Sequence, residues 1–100
     1  MEFVYTVCAH QAEANHLAKQ AVSQRLAACV NSWPVRSTYR WQGKVKTARE
    51  VVVLFKTDRA KLRALTAFLK KSHSYDMPAI IHWSATSHHA AYSRWLKKSL

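Results

Sequence analysis

Glycine and acidic side chains are scarce in this sequence, which has one glycine and five carboxylates against 16 lysines and arginines. One glycine excludes a glycine-rich phosphate-binding loop, which needs several. GxSxG, HExxH and other nucleophile–base patterns are also missing, and five carboxylates are few for hydrolytic acid–base chemistry. We therefore predict a protein that is not an enzyme.

Long apolar runs are absent as well. No run approaches the roughly 20 residues that cross a bilayer, and the N-terminal MEFVYTVCAH has no basic segment before its apolar part, as a signal peptide would have. The two cysteines, Cys8 and Cys29, lack CxxC spacing and are expected to be free thiols in a reducing compartment. We predict a cytoplasmic protein without membrane insertion, folded as a single domain over residues 1–100.

Positive charge dominates the composition, with a net charge of +11. Such a surplus suits nucleic acid, anionic lipid or an acidic metabolite. The basic residues are dispersed, however, without a block of five like charges and without a nucleic-acid-binding motif. A solvated surface is therefore favoured over a nucleic-acid groove, and nucleic acid is not the expected partner.

The apolar pattern switches repeatedly between strand and helix periods. Helical spacing predicts a helix over residues 11–27, a second after a cap at Thr57 or Asp58, and a third after a cap at Ser87. Strands are predicted at residues 2–8, 29–33, 37–46, 50–56 and 79–83. Pro34 is expected to interrupt the second strand, Gly43 to form a bulge or approach a turn, and residues 47–49 to make the turn.

The predicted order is βαββαβ followed by a further helix. Two right-handed crossovers then give a ferredoxin-like α+β fold, with a four-stranded antiparallel sheet, helices on one face and an extra C-terminal helix. The other face, expected to carry Val51, Val53 or Trp83, would need a partner. The long aromatic segment after Cys29 also favours contact with another subunit. The predicted oligomer-interface residues are Trp33, Tyr39, Trp41 and Gly43.

Histidine and cysteine supply ligands suited to copper or zinc, although none has dense metal-ligand spacing. His10 and His16 are expected on the exposed side of the first helix, and the adjacent His88 and His89 are expected to be solvated. His73 closes a helix and opens the loop HSYDMP. The helix C-terminus favours a cationic imidazole there, and coordination of a metal ion by His73 is the alternative.

Several segments of the chain resemble the CutA divalent-cation tolerance proteins. RLAACVN, YRWQGKV, EVVVLFKT, HSYDMPAII and YSRWL occur in that family's order and spacing, from about Val4 to Leu100. The resemblance implies a ferredoxin-like fold and a tight homotrimer in which long strands pair between subunits. It also implies a link to tolerance of divalent cations, with copper binding described for the family.

The resemblance also implies where a metal would bind. The family's copper-implicated loop histidine matches His73, while its metal-implicated cysteine falls at Thr6, two residues before Cys8 on the same strand face. Ser72 and Ala79 replace a histidine and a glutamate that relatives carry. We therefore predict that His73 and Cys8 bind copper or another divalent cation. The protein itself is predicted to be a homotrimer that acts in tolerance of divalent metal ions.

The alternative function is a trimeric signalling protein that binds a small anion in clefts between subunits. The positive charge favours it, and it follows other trimeric ferredoxin-like signalling proteins by analogy of fold. The candidate anion-binding residues are Arg40, Lys44 and Tyr75.

Overall fold

A computed structural model describes all 100 residues as four strands and three helices. In chain order these are β1 (Glu2–Cys8), α1 (Gln11–Ser23), β2 (Cys29–Trp41), β3 (Lys44–Thr57), α2 (Arg59–Ser72), β4 (Ile80–Ser84) and α3 (Ala90–Lys98). The strands form one antiparallel sheet in the order β2-β3-β1-β4. This order confirms the predicted ferredoxin-like fold. No helix is both long and apolar enough to span a membrane.

The face of the sheet beneath α1 and α2 holds the core, and we call it the helix-covered face. Directly opposed residues share a face, and here Val4 pairs with Phe55 and Thr6 with Val53. All four side chains are fully buried. The helices cover them with a small set of apolar residues, Ala14, Leu17, Ala21, Leu65 and Leu69. Alternation along β1 and β3 therefore directs one set of side chains into a dry interior.

The opposite face, which we call the open face, carries large apolar side chains that α1 and α2 do not cover. Helix α3 reaches one end of this face, where Lys56 Nζ donates a hydrogen bond to the Tyr92 hydroxyl at 3.4 Å. Phe3 pairs with Trp83 across β1 and β4, and their rings meet edge to face with centroids 5.7 Å apart. Ile81 and Trp83 remain 53% and 43% exposed, and Trp33 on β2 remains 42% exposed. An exposed apolar patch of this kind is typical of a protein interaction site.

The register corrects one sequence-based expectation about this face. Val51 and Val53 were predicted to lie beside Trp83, but they pair with Cys8 and Thr6 and belong to the helix-covered face. Strands alternate strictly, so a shift of one residue moves every side chain to the other face. The apolar run in β3 supplied no polar position from which the face could be assigned.

Strands β2 and β3 form a long hairpin that extends beyond the rest of the sheet. Gln42 and Gly43 form its turn with φ values of 50° and 76°, the positive-φ pair typical of a type I′ turn. The predicted turn at residues 47–49 is therefore wrong, and so is the predicted break at Pro34. Proline is tolerated because β2 is an edge strand, where a missing N–H can face away from the ladder.

Two helix boundaries also differ from the sequence-based prediction. Helix α1 ends at Ser23, because Arg25 takes φ 58° and the Leu26 N–H returns to the Ala21 carbonyl at 2.8 Å. That is a Schellman ending with arginine where glycine is usual. Helix α3 is capped by His89, whose Nδ1 accepts the Tyr92 N–H at 3.3 Å. His89 is exposed, as predicted, and it takes the capping position that was predicted for Ser87.

Candidate functional site

His73 ends α2, and its side chain is fully inaccessible to solvent. Its Nε2 lies 2.9 Å from the Val7 carbonyl oxygen, and its Nδ1 lies 3.0 Å from the Tyr75 backbone nitrogen. A carbonyl can only accept and a backbone amide can only donate, so Nε2 carries the proton and Nδ1 is the acceptor. His73 is therefore a neutral imidazole that ties β1 to the loop after α2. It is not the cationic group that its position at a helix end predicts.

Two carboxylates from other elements hold the same loop. Glu13 in α1 accepts hydrogen bonds from the Ser74 backbone N–H and hydroxyl, both at 2.8 Å. Glu50 in β3 accepts the Tyr75 hydroxyl at 2.7 Å. Burial, together with that hydrogen bond to Glu50, raises the pKa of Tyr75 well above its ordinary value. The loop is thus fixed to α1, β1 and β3 at one end of the sheet.

Cys8 lies at the same end, as the last residue of β1. It is fully buried and pairs with Val51 on the helix-covered face. Burial raises the pKa of its thiol to about 12, and the negative charges of Glu13 and Glu50 act in the same direction. Because the thiolate is the form that binds metals and reacts, Cys8 is a protonated and inert thiol near neutral pH.

The geometry does not fit a resident metal ion at the predicted residues. Nowhere in the chain do three or more His, Cys, Asp or Glu side chains converge in a way that could hold one. Both ring nitrogens of His73 already have hydrogen-bond partners, and Cys8 keeps its proton. His73 contacts the residue before Cys8, so the fold brings the two predicted ligands to one end of the sheet without arranging them as a metal site.

The three predicted anion-binding residues do not converge within one chain. Arg40 and Lys44 lie on opposite faces of the hairpin near its turn, because their positions alternate in the β2–β3 register. Tyr75 is bound to Glu50, which lies about 20 Å along β3 from Lys44 at the usual rise per residue. A site that combined them would need residues from a second copy of the chain.

The predicted interface aromatics, by contrast, share one face of the hairpin. Trp33, Tyr39 and Trp41 occupy alternating positions of β2 on the open face, each with 42–44% of its surface exposed. Gly43 has a different role, because it forms the turn and a Cβ at this position would meet nothing within 4 Å. Three of the four residues therefore form part of one exposed apolar surface.

The structural roles of Glu13 and Glu50 escaped the sequence analysis. Their signal was the scarcity of acidic residues, since a chain with five carboxylates has few to spare for a solvated surface. Four of the five make hydrogen bonds within the chain, namely Glu2, Glu13, Glu50 and Asp58.

The fold and its exposed face define a class of protein, the small ferredoxin-like domains with one face of the sheet left open. Within this class, the sequence profile of a family described as "CutA1 divalent ion tolerance protein" matches residues 2–99. The chain belongs to this family, which confirms the resemblance seen in the sequence. The family is named for tolerance of divalent ions and not for a catalytic activity.

Individual relatives support the assignment. The chain is 38% identical over 97 residues to Protein CutA 1, chloroplastic, of Oryza sativa, covering 96% of this chain and 55% of the relative. It is 31% identical over 100 residues to the divalent-cation tolerance protein CutA of Thermotoga maritima, covering 100% and 99%. The chain thus spans about half the length of the plant relative and nearly all of the bacterial one.

Solved structures agree with the fold. The D60A variant of CutA1 from Pyrococcus horikoshii gives a TM-score of 0.95 at 33% identity, covering 99% of this chain and 97% of the other. CutA1 from Oryza sativa gives a TM-score of 0.94 at 37% identity, covering 98% and 91%. The fold of this chain is therefore shared with the CutA1 structures from both organisms.

Proposed function

We propose that this protein is a non-enzymatic homotrimer that acts in tolerance of, or response to, divalent metal ions. The observation that carries the proposal is the open face, where tryptophan, tyrosine and isoleucine side chains stay exposed although the helix-covered face is dry. Full burial of a large apolar side chain stabilises by about 1.5–3 kcal/mol. Covering this face with further copies would therefore provide a strong drive for association.

Three copies are proposed because of the resemblance to the CutA family, and the hairpin offers a surface for contact between copies. Strands β2 and β3 pair along the whole hairpin, from Cys29 opposite Lys56 to Trp41 opposite Lys44. The outer edge of β2 has no partner strand in this chain. Such an edge invites pairing with another chain, and pairing between copies would bring the open faces together.

Sedimentation equilibrium of two matched variants tests the assembly. Ile81 on the open face and Val22 on α1 are aliphatic residues with 53% and 43% of their surfaces exposed. Ile81→Glu should shift a trimer towards monomers because it would bury an unpaired charge, whereas Val22→Glu should leave the trimer unchanged. A stable monomer of the unaltered protein at micromolar concentration would refute the proposal.

Metal tolerance in this proposal does not depend on a preformed site at His73 and Cys8. Copper or another divalent cation could reach His73 only after its hydrogen bonds to Val7 and Tyr75 were broken. We expect calorimetric titrations with Cu²⁺ to give the same isotherm for the wild type and for His73→Ala. Loss of one stoichiometric site in the variant would instead identify His73 as a ligand.

Binding of a small anion between subunits is the second candidate function. The observation that favours it is the large excess of cationic side chains. Four of the five carboxylates already accept hydrogen bonds within the chain, so few are left to neutralise these cations. Arg40 and Lys44 of one copy could meet Tyr75 of another. Phosphate should then protect the trimer, but not an Ile81→Glu monomer, against thermal unfolding. Equal protection of both forms would contradict a site between subunits.

A cytoplasmic location completes the proposal. It is supported by the two free cysteines, which suit a reducing compartment. Fractionation of the source cells should recover the protein with soluble cytoplasmic markers. Recovery from an organelle or an extracytoplasmic fraction would overturn this point alone.

A further inference from the structure

One face of the outer hairpin carries cations that the fold does not neutralise. Arg36 of β2 and Arg49 of β3 are direct partners in the register, and Arg40 lies on the same face four residues further along β2. Between them lies the paired couple Thr38 and Thr47. All five side chains are exposed, and we call this surface the arginine face. It lies on the side opposite Trp41 and Tyr39.

The direct pairing of two arginines has a cost. Side chains opposite each other in an antiparallel pair have Cβ atoms about 4.5–5.5 Å apart, and like charges at that distance destabilise the pair. The only ion pair within 4 Å joins Arg59 to Glu2, since His73 near Glu13 is neutral. Glu50 follows Arg49 in sequence but points to the other face and binds Tyr75. The fold thus places Arg36 and Arg49 directly opposite each other without a carboxylate partner.

A second copy of the chain has little negative charge to offer, because Asp76 is its only acidic side chain without a hydrogen bond in its own chain. The copy itself carries a net charge of +11. Assembly through the open face would leave the arginine face pointing outwards, because the two lie on opposite sides of the hairpin. An external anion is therefore the natural partner.

We propose that the arginine face binds an oligophosphate, a short chain of phosphoryl groups. One phosphoryl group lies between Arg36 and Arg49, whose planar guanidinium groups can each donate two parallel hydrogen bonds to phosphate oxygens. The chain then runs towards Arg40, about 13 Å away at the usual rise per residue, past the hydroxyl groups of Thr38 and Thr47. The site needs only one chain and goes beyond both functions proposed above.

The ligand is short, and its phosphoryl groups are what the site recognises. The arginine face has no aromatic side chain on which a base could stack, and stacking is a main source of single-strand affinity. Its cations also end at the hairpin turn, whereas a nucleic-acid strand calls for a longer basic track. Inorganic triphosphate and the triphosphate of a nucleotide share the required chemistry, and parallel titrations with each distinguish the two sources.

The test is calorimetric titration with inorganic triphosphate at low and constant ionic strength. The Arg36→Gln, Arg49→Gln double variant should bind at least about tenfold more weakly than the wild type, since hydrogen bonds to charged groups are lost. The matched control is Lys70→Gln, Lys71→Gln, which removes the same charge from the exposed last turn of α2. It should weaken binding by less than about threefold, because only screened long-range attraction is lost.

Three further measurements complete the experiment. Arg36→Lys, Arg49→Lys should bind with intermediate affinity, because lysine keeps the charge and loses the paired donors. Without ligand, Arg49→Gln should melt at an equal or higher temperature than the wild type, since a like-charge pair is relieved. Sedimentation of the glutamine double variant should match the wild type, which separates this proposal from that of the trimer.

The proposal would be overturned if the wild type showed no saturable binding of triphosphate, or if the two glutamine double variants weakened binding equally. It would also be overturned if a short single-stranded oligonucleotide bound more tightly than triphosphate. Binding of the nucleotide and of inorganic triphosphate with similar affinity would support recognition through phosphate alone. Much tighter binding of the nucleotide, unaffected by the two glutamines, would count against it.

Discussion

The two faces of the sheet arise from the same alternation of side chains, but one face is buried and the other stays exposed. On the helix-covered face, Val53 and Phe55 are completely buried, and even the polar Thr57 is satisfied by a hydrogen bond to the Leu26 carbonyl at 2.7 Å. On the open face, Trp33 and Trp83 keep more than two-fifths of their surfaces exposed. Both faces are apolar in sequence. What differs is whether the same chain supplies a layer to cover them.

This difference separates stability from assembly. The helix-covered face supplies the core of a single chain, because α1 and α2 are long enough to cover β1 and the inner halves of β2 and β3. The hairpin beyond the helices buries little within the chain. Its aromatic side is available for association and its arginine side for a ligand. The following four predictions test this division.

A series along β3 should show the largest contrast. Phe55→Ala should lower the free energy of unfolding by about 3–5 kcal/mol, because a large cavity forms in the core. Val53→Ala should cost about 2 kcal/mol from lost burial, and Val45→Ala, at a position 66% exposed, should stay within about 0.5 kcal/mol. Urea titration followed by circular dichroism measures all three. A loss at Val45 as large as that at Val53 would show that the hairpin is covered on its arginine side.

The two cysteines report on the two faces directly. Cys8 is fully buried on the helix-covered face, whereas Cys29 is partly exposed and pairs with Lys56 on the open face. Alkylation of the folded protein should be at least about a hundredfold slower at Cys8, because reaction there needs local opening. Its pKa of about 12 also means that raising the pH to 9 should not speed the reaction in the folded state. Mass spectrometry of each site checks this, and equal rates would contradict the assignment of faces.

His73 should matter for stability more than Tyr75. His73→Ala removes bonds to Val7 and to the Tyr75 amide and leaves a buried carbonyl without a donor, at a cost of about 2–3 kcal/mol. Tyr75→Phe removes only the hydrogen bond to Glu50 and should cost about 1 kcal/mol. Thermal unfolding without added metal measures both. If His73→Ala destabilised the protein only when Cu²⁺ was present, His73 would be a ligand and not a structural residue.

Changes at the hairpin turn should have small effects that stay within the hairpin. Gly43→Ala has room for its Cβ but must keep φ at 76°, so it should cost about 1–2 kcal/mol of backbone strain in the hairpin. Gln42→Asn should stabilise the hairpin by a few tenths of a kcal/mol, because asparagine tolerates positive φ better than glutamine. Hydrogen exchange of the hairpin amides is the appropriate measurement. A change that spread to the β1 amides would show that hairpin and core fold as one unit.

The predictions that the structure confirms rest on short-range patterns in the sequence. Asp58 was one of two expected caps of α2, and its side chain accepts the Lys61 N–H at 3.1 Å. Helical spacing correctly predicted α2 after this cap, and its residues Leu65 and Leu69 are fully buried. The order of elements then led to the correct topology, because few arrangements of a βαββαβ chain obey the handedness of crossovers.

Errors arose where a residue of unusual identity occupies a special backbone position. Arg25 and Gln42 adopt positive φ, a conformation in which glycine or asparagine is expected. The end of α1 therefore carried no recognisable signal, and only Gly43 indicated the hairpin turn. The surroundings of the candidate metal residues could not be predicted for another reason. Whether the nitrogens of His73 are free depends on Val7, far away in the chain, and on the path of the loop through Tyr75.

By itself, the sequence determined the kinds of elements, their order, the family and the excess of positive charge, because periodicity and composition act through near neighbours and bulk electrostatics. Only the tertiary structure decided which apolar residues are covered and which stay exposed, since one step of register exchanges the two faces. It also decided that His73 and Cys8 are internally satisfied and that Arg36 and Arg49 lie opposite each other. Those relations depend on contacts between distant segments, which no local pattern encodes.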